Sequence, residues 1–246
     1  MNGLLQSIIH RPYVFAFLAA YLVLAWRYFG MRRTILWLLS GYAIAWASEL
    51  SSIQNGFPYG DYKYVYDSMR DELMVAGVPF FDSLSYPFLN FAGFATASFI
   101  LGRRCATGLK AVAFGALLTM LLDVIVDPVA TMGSRWFLGQ IHFYVYPGWY
   151  FGVPFSNFAG WFLVSFAIIG FNVLAWHLFP KVLYHRTIVP SYHRTTWIYP
   201  AFYAGIAVFN IAITFSIGEW RLGAASAAIL ALILAPAAVS ARRQTC

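Results

Sequence analysis

The 246-residue chain is 61% hydrophobic and only 10% charged, with a mean hydropathy of +0.68. A soluble globular domain carries roughly 25% charged residues, so a water-solvated globular surface is excluded. The formal charge of +7 is accounted for by membrane insertion and attraction to anionic lipid, which removes nucleic acid as a partner.

Apolar runs long enough to cross a hydrocarbon core, which takes about 20 residues per helix, recur along the chain. The first is predicted over 13–29 and the second over 34–51. The third, 83–101, opens on polar residues. The fourth, 108–127, is expected to stop at Asp127, because the residue before a proline (here Pro128) is biased away from helix, which puts Asp127 at the membrane–water boundary. The fifth covers 155–179, the sixth 197–217, and the Ala-rich seventh 221–239. The runs are continuous rather than alternating, which reads as helix, and an open sheet cannot satisfy its backbone in lipid. The fold class is therefore all-α: a polytopic transmembrane bundle of about seven spans, with six as the alternative if the third or seventh run fails. No repeat, low-complexity tract or linker divides the chain, so residues 1–246 read as a single transmembrane domain. The first run ends in Trp26-Arg27 without a small-residue cleavage site and is not read as a signal peptide.

With seven spans, Arg27, Arg32, Arg33, Arg103, Arg104, Lys110, Lys181, Arg186, Arg194, Arg242 and Arg243 fall on one side, and Arg11, Lys63, Arg70, Arg135 and Arg221 on the other. The positive-inside rule places the richer side, with the C-terminus, in the cytoplasm. The expected location is the plasma membrane. Cys105 and Cys246 fall on the cytoplasmic side and suggest no disulfide framework.

All nine acidic residues map to the opposite side or to helix ends facing it. Asp67, Asp71 and Glu72 sit in a mixed-charge loop and read as solvated. Glu49, Asp123 and Asp127 lie in or at the edge of apolar runs, where ionisable groups are costly and are functional candidates by default; helix–helix hydrogen bonding is the competing role. Asp123 and Asp127 are spaced i, i+4, which puts both carboxyls on one helix face. Like charges that close in a poorly solvated site resist joint ionisation, so one acid and one base can coexist there.

Two loops flank these carboxylates. One runs Gly56-Phe57-Pro58-Tyr59-Gly60-Asp61-Tyr62-Lys63-Tyr64. The other runs from Tyr146-Pro147-Gly148-Trp149-Tyr150 through Phe151-Gly152-Val153-Pro154 to Asn157 and Gly160-Trp161. An aromatic belt at the lipid interface explains part of this composition. Gly and Pro also fix a backbone course, which points to a shaped apolar pocket.

At these residues the chain resembles the membrane-embedded carotenoid 1,2-hydratases, a group that includes the bisanhydrobacterioruberin hydratases. The resemblance rests on Glu49, the Gly56–Tyr64 loop, Gly77-Val78-Pro79, Asp123, Asp127-Pro128-Val129-Ala130, Trp136, Tyr150-Phe151-Gly152-Val153-Pro154, Asn157 and Gly160-Trp161, within roughly residues 45–165. Two departures are Tyr59, where the family pattern has Phe, and Tyr86, near a family Trp. The resemblance implies addition of water across the terminal double bond of an acyclic carotenoid end, giving a tertiary alcohol. It implies a carotenoid partner within the bilayer, surrounded by membrane lipid.

The residues fit that chemistry. A carboxylic acid in a dry site protonates the alkene, aromatic faces stabilise the tertiary cation by roughly 0.5–2 kcal/mol each, and a carboxylate deprotonates water. Asp123 is the expected donor and Asp127 the base, with Glu49 or Asp82 supporting either. Tyr59, Asp61, Tyr62, Tyr64, Trp136, Trp149, Tyr150, Asn157 and Trp161 are the candidate substrate-binding residues. A lycopene cyclase or isomerase, which also begins by protonating an alkene, and a lipid or carotenoid transporter are the rival readings. A retinal receptor would need a lysine within a span, and Lys63, Lys110 and Lys181 are all in loops or at helix edges. His10, His142, His177, His185 and His193 form no short-spaced box, so neither a metal nor another cofactor is expected.

The orientation is testable at Cys105. In a variant lacking Cys246, an impermeant thiol reagent should label Cys105 only after the membrane is opened; labelling in intact cells would invert the topology.

Overall fold

A computed structural model of the chain describes residues 3–102, 108–183 and 197–244. Arg103, Arg104, Cys105, His185, Arg186, His193, Arg194 and Cys246, used in the readings above, lie outside the described residues, as do the side chains of Arg242 and Arg243.

The seven apolar runs all become long helices: α2 (Pro12–Phe29), α3 (Met31–Asn55), α4 (Phe80–Leu101), α5 (Leu109–Ala130), α6 (Phe155–Leu178), α8 (Ile198–Ser216) and α9 (Trp220–Gln244). Two short helices, α1 (Gly3–His10) and α7 (Pro180–Leu183), were not anticipated. Among the described residues, six helices (α2, α4, α5, α6, α8 and α9) are long and apolar enough to cross a membrane. The other long helix, α3, is of similar length, but its last turns carry Ser48, Glu49, Ser51, Ser52, Gln54 and Asn55. Its buried residues are Thr34, Trp37, Gly41, Ala45, Glu49 and Ser52. They recur every three or four positions, the spacing of one helix face, so Glu49 belongs to the stripe that packs inward.

The central helix is α4, which packs on α2, α3, α5, α6, α8 and α9. Small residues let its neighbour come close, as at membrane helix interfaces generally. A Cβ on Gly93 would lie 2.3 Å from Thr119 Oγ1 and 2.7 Å from the Gly115 carbonyl oxygen of α5. Lipid gives no hydrophobic drive for such contacts, so packing and hydrogen bonds hold the bundle. The Trp37 indole N–H, for instance, donates to the Pro87 carbonyl across α3 and α4 at 3.0 Å.

Two expectations need correcting. The fourth run does not stop at Asp127: α5 continues through Pro128 to Ala130, and Asp127 is buried. Proline in a last turn forfeits one amide donor, and the Thr131 N–H still closes onto the Asp127 carbonyl at 3.1 Å. The loops also carry short strands. A ribbon pairs β1 (Tyr62–Tyr64) antiparallel to β4 (His142–Tyr144), with Tyr62 opposite Tyr144 and Tyr64 opposite His142. A second tiny ribbon joins β2 (Met74–Val75) to β3 (Val78–Pro79). Both lie outside the spanning helices, where strand pairing does not expose an edge to lipid.

Glu72 is the second correction. It is not a solvated loop residue like the exposed Asp67 and Asp71. Its Oε1 accepts from Arg11 Nη2 at 2.7 Å, and both side chains are about 1–2% exposed. Arg11 Nε donates to both Glu72 oxygens at 3.1 Å, and the guanidinium lies 4.2 Å over the Phe81 ring. Ser7 of α1 accepts the Leu73 N–H at 3.0 Å. The α1–α2 corner thus fastens the loop before α4 across one end of the bundle. At the same end Arg135 pairs with Glu219, and at the other Arg33 donates to the Leu183 carbonyl at 2.9 Å.

Removing one partner of a buried ion pair strands the other charge, at a cost of about 3–5 kcal/mol. Glu72→Ala should therefore lower the melting temperature of the detergent-solubilised protein sharply. Arg11→Met combined with Glu72→Leu should lower it much less, because no lone charge remains. Equal losses in the two variants would show that the pair's charge is not what matters.

Candidate active site

Most of the side chains singled out in the sequence converge on one cavity at the ribbon-bearing end of the bundle. It encloses about 1050 Å³ of empty space, mouth included, and Glu49, Asp82, Asp123 and Asp127 all line it. Each carboxyl belongs to a long helix: Glu49 to α3, Asp82 to the first turn of α4, and Asp123 and Asp127 to one face of α5.

The carboxyls fall into two bridged pairs. Asn157, in the first turn of α6, donates through Nδ2 to Asp123 Oδ2 at 2.7 Å and to Asp127 Oδ2 at 3.3 Å. Asp127 Oδ2 also accepts the Tyr144 hydroxyl at 2.7 Å, and its Oδ1 lies 3.1 Å from His142 Nε2. The second pair is bridged by Tyr64, whose hydroxyl contacts Glu49 Oε2 and lies 2.7 Å from Asp82 Oδ2. Tyr62 donates to the same Glu49 oxygen at 3.0 Å. A phenol has one hydrogen to give, so Tyr64 satisfies one carboxyl as donor, and its other contact is completed when that carboxyl supplies the proton.

The ribbon puts these donors on one face. Alternation along β1 and β4 turns Tyr62, Tyr64, His142 and Tyr144 inward, while Lys63 and Phe143 stay exposed. Burial, reinforced by the neighbouring carboxylates, pushes the Tyr62, Tyr64 and Tyr144 hydroxyls well above the usual phenol range. They remain neutral donors. For His142, burial alone favours the neutral ring, but the Asp127 contact, with Asp82 and Glu49 nearby, outweighs it and holds the imidazole above its ordinary range.

Tyr59, Trp136 and Trp161 complete the candidates that line the cavity. Tyr59 is locked from three sides: its hydroxyl is 2.8 Å from Ser48 Oγ, its N–H donates to Ser52 Oγ at 3.0 Å, and its carbonyl accepts from Ser156 at 3.3 Å. Gly160 permits this, because a Cβ there would sit 2.7 Å from both the Pro58 carbonyl oxygen and the Tyr59 ring. Trp161 stacks on Tyr86 at 4.2 Å with an interplanar angle of 3° and lies 6.2 Å from Tyr59. The two residues that depart from the family pattern, Tyr59 and Tyr86, therefore flank one tryptophan on the cavity wall. Trp136 is buried, and its indole N–H has no hydrogen-bond partner among the described residues.

Three candidates are not brought to the cavity. Asp61 precedes the ribbon, and the alternation that turns Tyr62 inward turns Asp61 out to an exposed position. Trp149 stands at the loop tip, 84% exposed. Tyr150 packs instead against Phe151 and Phe158. His142 and Tyr144 were missed as site residues. The signal available was the two-residue period of His142-Phe143-Tyr144, which matches Tyr62-Lys63-Tyr64; a search for histidine boxes does not detect it. No group of three or more His, Cys, Asp or Glu able to hold a metal occurs among the described residues.

A polytopic helix bundle with an acid-lined aromatic cavity at one end defines a multi-pass membrane protein. Residues 10–235 match the carotenoid biosynthesis protein family, and the chain belongs to that family. It is 28% identical over 142 residues to a Haloarcula japonica protein named bisanhydrobacterioruberin hydratase. That match takes in 57% of this chain and 45% of the relative, so the chain spans less than half of the relative's length. No solved structure matches the chain.

The His142–Asp127 pair carries a pH signature. Because the folded-state pKa of His142 is raised, its stabilising contribution is complete below the ordinary imidazole value of about 6.5. It is lost as pH rises through the elevated value. The melting temperature in detergent should decline as pH rises through that window, and His142→Gln should flatten the decline. An unchanged slope in the variant would mean that His142 is uncharged throughout.

Proposed function

We propose that this protein adds water across the terminal 1,2 double bond of an acyclic carotenoid end group, giving a tertiary alcohol. The observation that carries the reading is the Asp123–Asn157–Asp127 cluster, set on the wall of a largely aromatic cavity that Glu49 and Asp82 also line. Membership of a carotenoid biosynthesis family and similarity to a protein named a hydratase support it.

The alkene's less substituted carbon takes a proton from the neutral carboxyl of Asp123, leaving a tertiary cation. The faces of Trp136 and Trp161 stabilise that cation. Water attacks it, and Asp127 accepts the proton released, so the sum of the steps is addition of one water. His142 and Tyr144 hold Asp127 in its acceptor orientation. The indole N–H of Trp136 is free to hold the incoming water. Asp127 then releases its proton and Asp123 regains one by exchange with water, which restores the starting pair, while Glu49 and Asp82, joined through Tyr64, line the cavity beside them. A carboxyl acid–base pair of this kind contributes about 100-fold or more to rate. The positive-inside pattern sets this end of the bundle on the outer face of the plasma membrane.

Expression in a lycopene-producing host should yield pigments heavier by one water. In deuterated water one deuterium should appear beside the new alcohol, and in oxygen-18 water the alcohol should carry the label, even without air. A hydroxyl derived from molecular oxygen would sink the proposal. Deuterium without any hydroxyl would indicate a protonation-initiated cyclase or isomerase. Asp123→Asn and Asp127→Asn should each insert normally yet lose at least about 100-fold in turnover. Near-normal turnover in both would move the chemistry to Glu49 and Asp82.

A further inference from the structure

Beyond the carboxylates the cavity continues as an apolar arm between α2 and α8. Both helices pack on α4, and Phe88 of α4 floors the gap. Above it α2 and α8 meet through rings. Tyr13 stacks on Phe209 at 5.4 Å, and Phe17 meets Phe209 edge-on at 5.7 Å. Phe137, from the loop after α5, closes the circle 5.6 Å from Tyr13 and 6.4 Å from Phe209.

These four rings line the cavity, yet they are its outer edge: Tyr13, Phe17 and Phe209 are only half-buried, and Phe137 is 53% exposed. The opening they frame lies within two helices apolar enough to span a membrane. The neighbouring outer surface is apolar too, with Val208 53% exposed. Side-chain contacts of this kind part by rotamer changes alone, on a fast timescale.

We infer that the gap between α2 and α8 is a lateral portal through which one end of a linear, apolar isoprenoid chain enters from the bilayer. The end group reaches the carboxylates, and the rest of the chain remains in the portal and in lipid. This rests on the hydration reading for what happens at the inner end. A molecule with two reactive ends is then processed one end per visit.

The test joins the rims covalently. Phe17→Cys and Phe209→Cys are introduced together, with Cys105 and Cys246 changed to Ser, and the pair is linked by a short reducible bis-thiosulfonate. Two properties are compared between the linked protein and the same protein after reduction. One is retention of lycopene on the detergent-purified protein through gel filtration, read by its visible absorbance. The other is conversion of lycopene and of a short prenyl alcohol bearing the same end group. The linked form should bind lycopene at least tenfold more weakly, about 1.4 kcal/mol, and convert it correspondingly less. Reduction should restore both, while conversion of the short alcohol is unaffected by the link. Undiminished lycopene binding in the linked form would overturn the portal, and so would loss of both substrates together. Because lycopene retention does not depend on chemistry, normal binding without any hydrated product would refute the hydration reading while leaving the portal to be judged by the link.

Discussion

Four carboxyl groups inside a bundle that must sit in hydrocarbon set the terms for everything around them. A carboxyl withdrawn from water without donors is among the costliest groups a fold can bury, and the helices that carry these four have few donors to offer. The supply comes from elsewhere: Tyr62, Tyr64, His142 and Tyr144 from a ribbon outside the spans, and Asn157 from the first turn of α6. The ribbon in turn requires the Gly56–Tyr59 loop to lie flat against α6, which a side chain at position 160 would prevent. The aromatic density of the chain thus reflects more than an interfacial belt, because several of its tyrosines are hydrogen-bond donors to buried acids.

The two sides of the cavity are held by different forces. The ribbon side is stitched by directional polar contacts, with the Arg11–Glu72 pair fastening the preceding loop. The α2–α8 side is closed by ring contacts alone among the interactions described for it. Directional bonds fix the geometry of the ribbon side. Dispersion contacts are individually weak and leave the α2–α8 side the easier one to part.

The sequence disclosed the bundle well, because a span is written as a continuous apolar run and its length is set by the bilayer. It disclosed the carboxylates for the same reason: Asp123, Asp127 and Glu49 are conspicuous against that background. The residues that reach them were harder to read. His142 and Tyr144 lie outside the spans, and their relevance depends on a register with β1 that no local pattern encodes. Glu72 looks like its neighbours Asp67 and Asp71, and only the distant Arg11 makes it a buried group. Trp149 and Tyr150 misled in the opposite sense, since their Gly- and Pro-rich context marked a shaped loop without saying which side faced in. Pro128 was read as a terminator, although a proline in the final turn costs one hydrogen bond and need not end the helix at the residue before it.

The ribbon of Tyr62–Tyr64 with His142–Tyr144 has a bearing on biogenesis. Its strands belong to two different loops separated by α4 and α5, and Asn157 arrives only with α6. A nascent chain that has inserted only through α5 therefore holds Asp123 and Asp127 without their donors. The cavity is therefore assembled late in synthesis, once both loops lie on the same face and pair. Until then the half-made protein carries the carboxyls of α5 without the wall that encloses them.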